Sequence, residues 1–175
     1  DSAYLVYTSG TTGLPKGAMN LHQNIAFNAN VYRTWMQIGP NDVVLGLAPL
    51  FHITGIVGHM ALAALAGIPL VLFHRFDPAI ALKMIETWRP TMTVAAITAY
   101  IALMNAPGAD RIHMSSLQKC YSGGAPIAPS LVEQFQRQFG TYIHNIYGLT
   151  ESNSPTHAVP LGTQAPVDPN SGALS

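Results

Sequence analysis

Residues Tyr7 to Gly17 read YTSGTTGLPKG and gather three glycines, four aliphatic hydroxyls, one proline and one lysine. Glycine exposes backbone N–H groups and admits positive φ, so a ligand can come close to the main chain. Thr8, Ser9, Thr11 and Thr12 add hydroxyl donors, and Lys16 adds a point charge. That density of donors suits a polyphosphate, each charge-assisted hydrogen bond contributing about 1.5–3 kcal/mol. The same composition also describes an ordinary surface hairpin turn. Two familiar phosphate loops are excluded. G-x-x-x-x-G-K-[ST] needs Ser or Thr after the lysine, where Gly17 stands, and G-x-G-x-x-G is absent.

Three further groups could do chemistry: His52 in PLFHITG, the run Gly123-Gly124-Ala125-Pro126, and the pair Thr150-Glu151 in YGLTES. Taken alone, a histidine among apolar residues is commonly a satisfied core group, and a Thr-Glu pair in a loop is commonly solvated surface. The other six histidines show no H-E-x-x-H spacing, so no zinc site is assigned. Cys120 lies in an apolar run beside no fixed cation and reads as an inert core thiol.

What positions these groups is an alternation of strands and helices. Ala3 to Thr8 and Gly17 to Asn20 read as a hairpin around the glycine-rich loop. A helix follows over Leu21 to Met36, with Ile25, Ala29, Tyr32 and Met36 on one face. Asp42 to Ala48, Pro69 to Phe73, Thr91 to Ile97, Leu117 to Ser122 and Tyr142 to Tyr147 are apolar runs of strand length, as expected of strands buried on both faces. Helices are expected over Thr54 to Ala66 with Gly67 as the stop, from the cap Asp77 and Pro78 to before Pro90, over Ala99 to Asn105, and over Pro129 to Phe139. The third of these five helices is expected to bury Ile80, Met84, Ile85 and Trp88, and the last Val132, Phe135 and Phe139. Tyr142 to Tyr147 reads as the last strand, with a loop-rich, proline-punctuated stretch after Gly148. This pattern implies an α/β fold: a mostly parallel sheet with helices on both faces, and an N-terminal hairpin standing apart. Ligands bind such sheets beyond the carboxyl ends of the strands. His52, Thr98, the Gly123–Pro126 run and Thr150-Glu151 all follow strands and so converge on one edge.

Composition narrows the function. Apolar residues make up 49% of the 175 and charged residues 9%, with eight acids and eight bases. A folded core is expected, and a nucleic-acid binder, which needs a basic face, is not. Val43 to Phe73 contains no acid, lysine or arginine, but Pro49, His52, Gly55, His59, Gly67 and Pro69 punctuate it, so no membrane span is expected. A single cysteine excludes an internal disulfide and fits a reducing compartment; with no signal-peptide pattern at the start, the expected location is the cytoplasm. So few surface charges suggest a piece of a longer chain with faces covered elsewhere.

YTSGTTGLPKG, PLFHITG, YSGGAPI and YGLTES, in that order, resemble four successive motifs of the adenylate-forming superfamily, which includes acyl- and aryl-CoA synthetases. The resemblance covers essentially the whole chain. It implies ATP-dependent activation of a carboxylic acid, aryl or fatty, to an acyl-adenylate with release of pyrophosphate, then transfer to coenzyme A. By the same resemblance Thr8, Ser9, Gly10, Thr11, Thr12, Gly13 and Lys16 would hold the β- and γ-phosphates. Gly123, Gly124, Ala125 and Pro126 would lie along the adenine, with Tyr147 stacked on it and Gly148 beside it. Thr150 would meet the α-phosphate, Glu151 would hold Mg²⁺, and His52 would sit by the substrate carboxylate. The acyl pocket would be lined by His52, Ile53, Gly55, Ala96, Ile97, Thr98, Ser122 and Gly123.

The resemblance also leaves alternatives open. Amino-acid-activating domains carry an aspartate where this chain has PLFHITG; no acid occurs between Asp42 and Asp77, so a CoA ligase is the preferred reading. A luciferase-like oxygenase has no separate signature, and a catalytically inert nucleotide-binding module is a third reading. The chain is expected to be a slice of the family's large domain: residues 1–20 a phosphate-loop hairpin, 21–148 an α/β subdomain, 149–175 a loop-rich tail. The family's ribose-binding aspartate and C-terminal domain with its catalytic lysine are not represented. Alone, the slice is expected to be inactive in thioester formation, to keep a phosphate loop that is mobile from Ser9 to Pro15, and to self-associate.

Overall fold

The computed structural model describes residues 1–8, 13–109 and 114–175. An antiparallel hairpin, β1 (Ser2–Thr8) and β2 (Lys16–Leu21), forms its own two-stranded sheet, with Thr8 opposite Lys16. α1 (His22–Trp35) follows directly. The main sheet is built from β3 (Val44–Leu45), β4 (Leu70–Val71), β5 (Met92–Ala95), β6 (Lys119–Ser122), β7 (Ile143–Tyr147) and β8 (His157–Ala158), in the order β4-β3-β5-β6-β7-β8. β3 to β7 run parallel, and β8 closes the edge antiparallel to β7. The expected parallel α/β sheet and separate hairpin are both present. β8 corrects the expectation that Tyr142 to Tyr147 is the last strand. A two-residue strand with a half-buried alanine carries no apolar run for the sequence to show.

The sheet is packed on both faces. α3 (Pro78–Trp88), α4 (Ile97–Met104) and α5 (Pro129–Phe139) cover one, where Leu45, Ile85, Tyr100, Leu103, Cys120 and Phe135 form a continuous core. α1, a π-helix at Gly55–Ala61 and α2 (Leu62–Ala66) belong to the other, where Tyr32, Met36, Val57, Met92, Val94 and Tyr121 meet. Neighbours in a strand go to opposite cores, as Cys120 and Tyr121 do. That is why β3 and β4 lie in unbroken apolar runs, while the polar side chains of β5 to β7, such as Thr93, Ser122 and Asn145, are buried or half-buried.

Local signals mark the helix ends. Asp77 caps α3 by accepting the Ile80 N–H at 2.9 Å, and Gly67 and Gly140 end α2 and α5 in the left-handed region. The face of α3 differs from expectation. Ala81, Leu82 and Ile85 are buried, Ile80 and Trp88 are exposed, and Met84 is half-buried. Lys83, Glu86 and Thr87 mark the solvent side, but the apolar arc opposite them is wider than the sheet covers; packing takes the part that carries Ala81, Leu82 and Ile85 and leaves Ile80 and Trp88 at its margin. α4 also begins earlier than its sequence suggests, so Ile97 and Thr98 lie in its first turn.

At the amino ends of the strands a polar clasp joins β3, β5 and β6. The Asp42 carboxylate accepts from Gly39 N at 2.8 Å, from Thr91 Oγ1 at 2.5 Å and from Lys119 Nζ at 2.8 Å. Burial would raise its pKa, but those donors outweigh it and hold the carboxyl below its usual value.

Candidate functional site

The parallel order β3-β5-β6-β7 sets four strand exits side by side on the carboxyl edge. From β3 the chain passes through Pro49 to His52 and into the π-helix. His52 is exposed, and its Nδ1 accepts the Thr54 N–H at 3.2 Å. Partial loss of hydration holds its imidazole below the ordinary histidine value, so it is neutral at pH 7. Ile53 belongs to the core rather than to an open surface. Gly55 is buried where a side chain would collide with the Pro49 carbonyl, so the loop closes tightly on the helix start. The β5 exit gives exposed Ala96, half-buried Ile97 and exposed Thr98.

From β6 come Ser122, fully buried with no hydrogen-bond partner for its hydroxyl among the described residues, and half-buried Gly123. A side chain at Gly123 would collide with the Ile146 carbonyl on β7. Gly124 holds φ at +84°, and Ala125 and Pro126 are exposed. The stretch therefore presents bare backbone along the sheet edge. From β7 comes Tyr147, 54% exposed, its ring centroid 6.1 Å from that of His157. An exposed tyrosine at a strand end has a face to offer a ligand, which a core tyrosine does not. Gly148 has no room for a side chain, since a Cβ would lie 2.8 Å from Ser154 Oγ. Thr150 is half-buried and Glu151 exposed, in a turn closed by Asn153 N to Thr150 O at 3.2 Å and Ser154 N to Leu149 O at 3.1 Å.

On the hairpin, the Thr8 hydroxyl donates to the Lys16 carbonyl at 3.4 Å, while Gly13 and Lys16 are exposed. Ser9, Gly10, Thr11 and Thr12, with most of the loop expected to be mobile, lie outside the described residues.

Two sets of residues escaped sequence reasoning. Asn28 and Tyr32, one turn apart on α1, reach the turn after Glu151 with their polar atoms. The available signal was an amide inside an otherwise apolar helical stripe. His59, fully buried in the π-helix, accepts the Val94 N–H through Nε2 at 3.3 Å; a histidine within an uncharged run gave no directional cue. A groove of about 690 Å³ lies between α1 and residues 152–156, lined by Phe27, Asn28, Val31, Trp35 and Pro155 among others, and includes none of the eight residues proposed for an acyl pocket. Among the described residues no histidine, cysteine and carboxylate side chains cluster as a metal site, and no helix is long and apolar enough to cross a membrane.

A family profile described as AMP-binding enzyme matches residues 1–174. A long-chain-fatty-acid–CoA ligase of Bacillus subtilis is 37% identical over 160 residues, covering 90% of this chain and 29% of that protein. A 4-coumarate–CoA ligase-like protein of Oryza sativa subsp. japonica is 33% identical, covering 90% of this chain and 30% of that protein. The ATP-bound crystal structure of MatB from Rhodopseudomonas palustris superposes with a TM-score of 0.84 at 28% identity, over 93% of this chain and 32% of that one. The chain thus spans about three tenths of the length of these curated relatives.

Proposed function

The chain belongs to the AMP-binding enzyme family, and on that premise we propose that the full-length protein carrying it activates an aryl or fatty carboxylic acid with ATP and transfers the acyl group to coenzyme A. The observation that carries this reading is the parallel order that sets His52, Gly123–Pro126, Tyr147 and Thr150-Glu151 along one sheet edge. The relatives named as fatty-acid and 4-coumarate CoA ligases support it.

Two steps would follow. A carboxylate oxygen attacks the α-phosphorus of ATP; the new O–P bond forms as the bond to pyrophosphate breaks. The coenzyme A thiolate then attacks the acyl carbon, and AMP leaves with the electron pair of the C–O bond. In the first step anion meets anion, so charge cancellation and in-line placement do most of the work. Thr8, Ser9, Gly10, Thr11, Thr12, Gly13 and Lys16 are assigned to the β- and γ-phosphates. The side-chain-free approach at Gly123 and the left-handed Gly124 suit a flat base lying on backbone, with the exposed Tyr147 against its face. Thr150 is assigned to the α-phosphate and the neutral His52 to the carboxylate.

The donor set also fits Mg²⁺, which commonly takes one or two carboxylates and fills its shell with phosphate oxygens and water; Glu151 is the exposed carboxylate in place. Bound there, the ion would neutralise phosphate charge.

The deciding experiment is a panel of aryl, fatty, dicarboxylic and amino acids offered to the full-length protein, with pyrophosphate release and CoA thioester both measured. ATP-dependent thioester formation with an aryl or fatty acid is expected. Activity confined to amino acids or dicarboxylates would overturn the reading.

A further inference from the structure

The turn that follows Glu151 connects β7 to β8 and determines its own shape. Its internal hydrogen bonds, Asn153 N to Thr150 O and Ser154 N to Leu149 O, are local. Its two ends are fixed to the main sheet by the pairing of β7 with β8 and by Thr156 N to Tyr147 O at 2.9 Å, and what ties its tip, residues 152–154, to the hairpin side of the fold comes from α1. Asn28, 6% exposed, donates through Nδ2 to Asn153 O at 2.8 Å and to Ser152 O at 3.2 Å. One turn further on, the Tyr32 hydroxyl lies 3.4 Å from Ser154 Oγ. α1 begins at His22, immediately after β2 ends at Leu21, so the helix holding the turn continues directly from the strand that starts at Lys16.

We propose that Asn28 is a positioning residue: its amide sets the Thr150-Glu151 turn in register with the Lys16 hairpin, so that the two halves of the nucleotide site stand at a fixed separation. This rests on the function proposed above. The chemistry favours an amide. One nitrogen with two hydrogens serves two successive carbonyls from a short side chain, which a hydroxyl or a carboxylate cannot do. The turn also needs an external hold: Asn153 and Ser154 adopt φ of 61° and 24°, and non-glycine residues persist in that region only where their surroundings over-determine them. The consequence for catalysis is steep, since a displacement of about 1 Å in a positioned group can cost about a hundredfold in rate.

Three variants of the full-length protein test this: Asn28→Ala, Asn28→Asp and Tyr32→Phe. Hydrogen exchange at amides 149–154 is read first. Asn28→Ala is expected to speed it about tenfold or more with the amides of the main sheet unchanged, Asn28→Asp to speed it further by setting a carboxylate against two carbonyls, and Tyr32→Phe to change it little. ATP–pyrophosphate exchange with palmitate and with 4-coumarate is then compared with thioester formation from the presynthesised acyl-adenylates. In Asn28→Ala the exchange kcat is expected to fall about 10–100-fold with KM for ATP within about threefold, and the second half-reaction to stay within about twofold. Unchanged hydrogen exchange, or an equal fall in both half-reactions that tracks the folded fraction, would overturn the proposal. If the wild type exchanges pyrophosphate with neither acid, the proposed function fails for those substrates, and hydrogen exchange alone decides whether Asn28 holds the turn.

Discussion

His59 is a buried base that stays neutral. Burial pushes its pKa down to about 4 from 6.5. Because the folded value is depressed, the unfolded chain binds more protons between these two values. The contribution to stability is therefore complete above pH 6.5, falls as the pH drops through that window, and is lost by about pH 4. Urea unfolding at pH 7 and at pH 4.5 is expected to show about 2–3 kcal/mol of loss from this group. His59→Gln, which keeps an acceptor for the Val94 N–H without titrating, should flatten that part of the slope; an unchanged slope would contradict the assignment. Gly123 poses a steric question. Its missing side chain is what lets the β6 exit press against the Ile146 carbonyl. Gly123→Ala should cost about 1–3 kcal/mol, because the neighbour is backbone and cannot swing aside. Thermal denaturation of the variant measures this, and an unshifted Tm would show that the two strands part easily.

At the scale of elements, the clasp of Asp42, Thr91 and Lys119 holds three neighbouring strands at the edge opposite the candidate site. Asp42 has a depressed pKa, so its contribution is present above the ordinary carboxylate range and is lost as the pH falls through the folded value. Asp42→Ala leaves Lys119 half-buried without its carboxylate and is expected to lower Tm by roughly 5–10 °C at pH 7. The difference from wild type should shrink as the pH falls through the depressed folded value of Asp42, where the wild-type carboxylate is protonated too; a pH-independent difference would point to packing instead. Much of this level was legible in advance. Asp77 with Pro78, Gly67 and Gly140 are short-range signals, and each marks a helix end where expected. The buried face of α3 was legible only in part, because its apolar arc is wider than the sheet covers and packing alone selects the portion with Ala81, Leu82 and Ile85.

For the whole molecule, the outer face of the hairpin is the exposed feature with the largest expected effect. Leu5, Tyr7 and Met19 are 61%, 68% and 73% exposed, and the register puts Leu5 opposite Met19. An apolar two-stranded face of this kind drives association, so light scattering on the 175-residue chain should show mass rising with concentration. Leu5→Lys together with Met19→Lys should restore a monomer; a monomeric wild type at all concentrations would refute this. By itself the sequence determined the class of the fold, the caps and stops, and the four motifs with their order along the chain. Each of these rests on period, turn chemistry or short spacing, which act between near neighbours. Only the tertiary structure decided that β3 lies between β4 and β5, that His59 reaches Val94, and that Asn28 holds a turn more than a hundred residues away. Those pairings depend on which surfaces meet once both cores close, and that is set by the sum of many contacts that no local stretch contains.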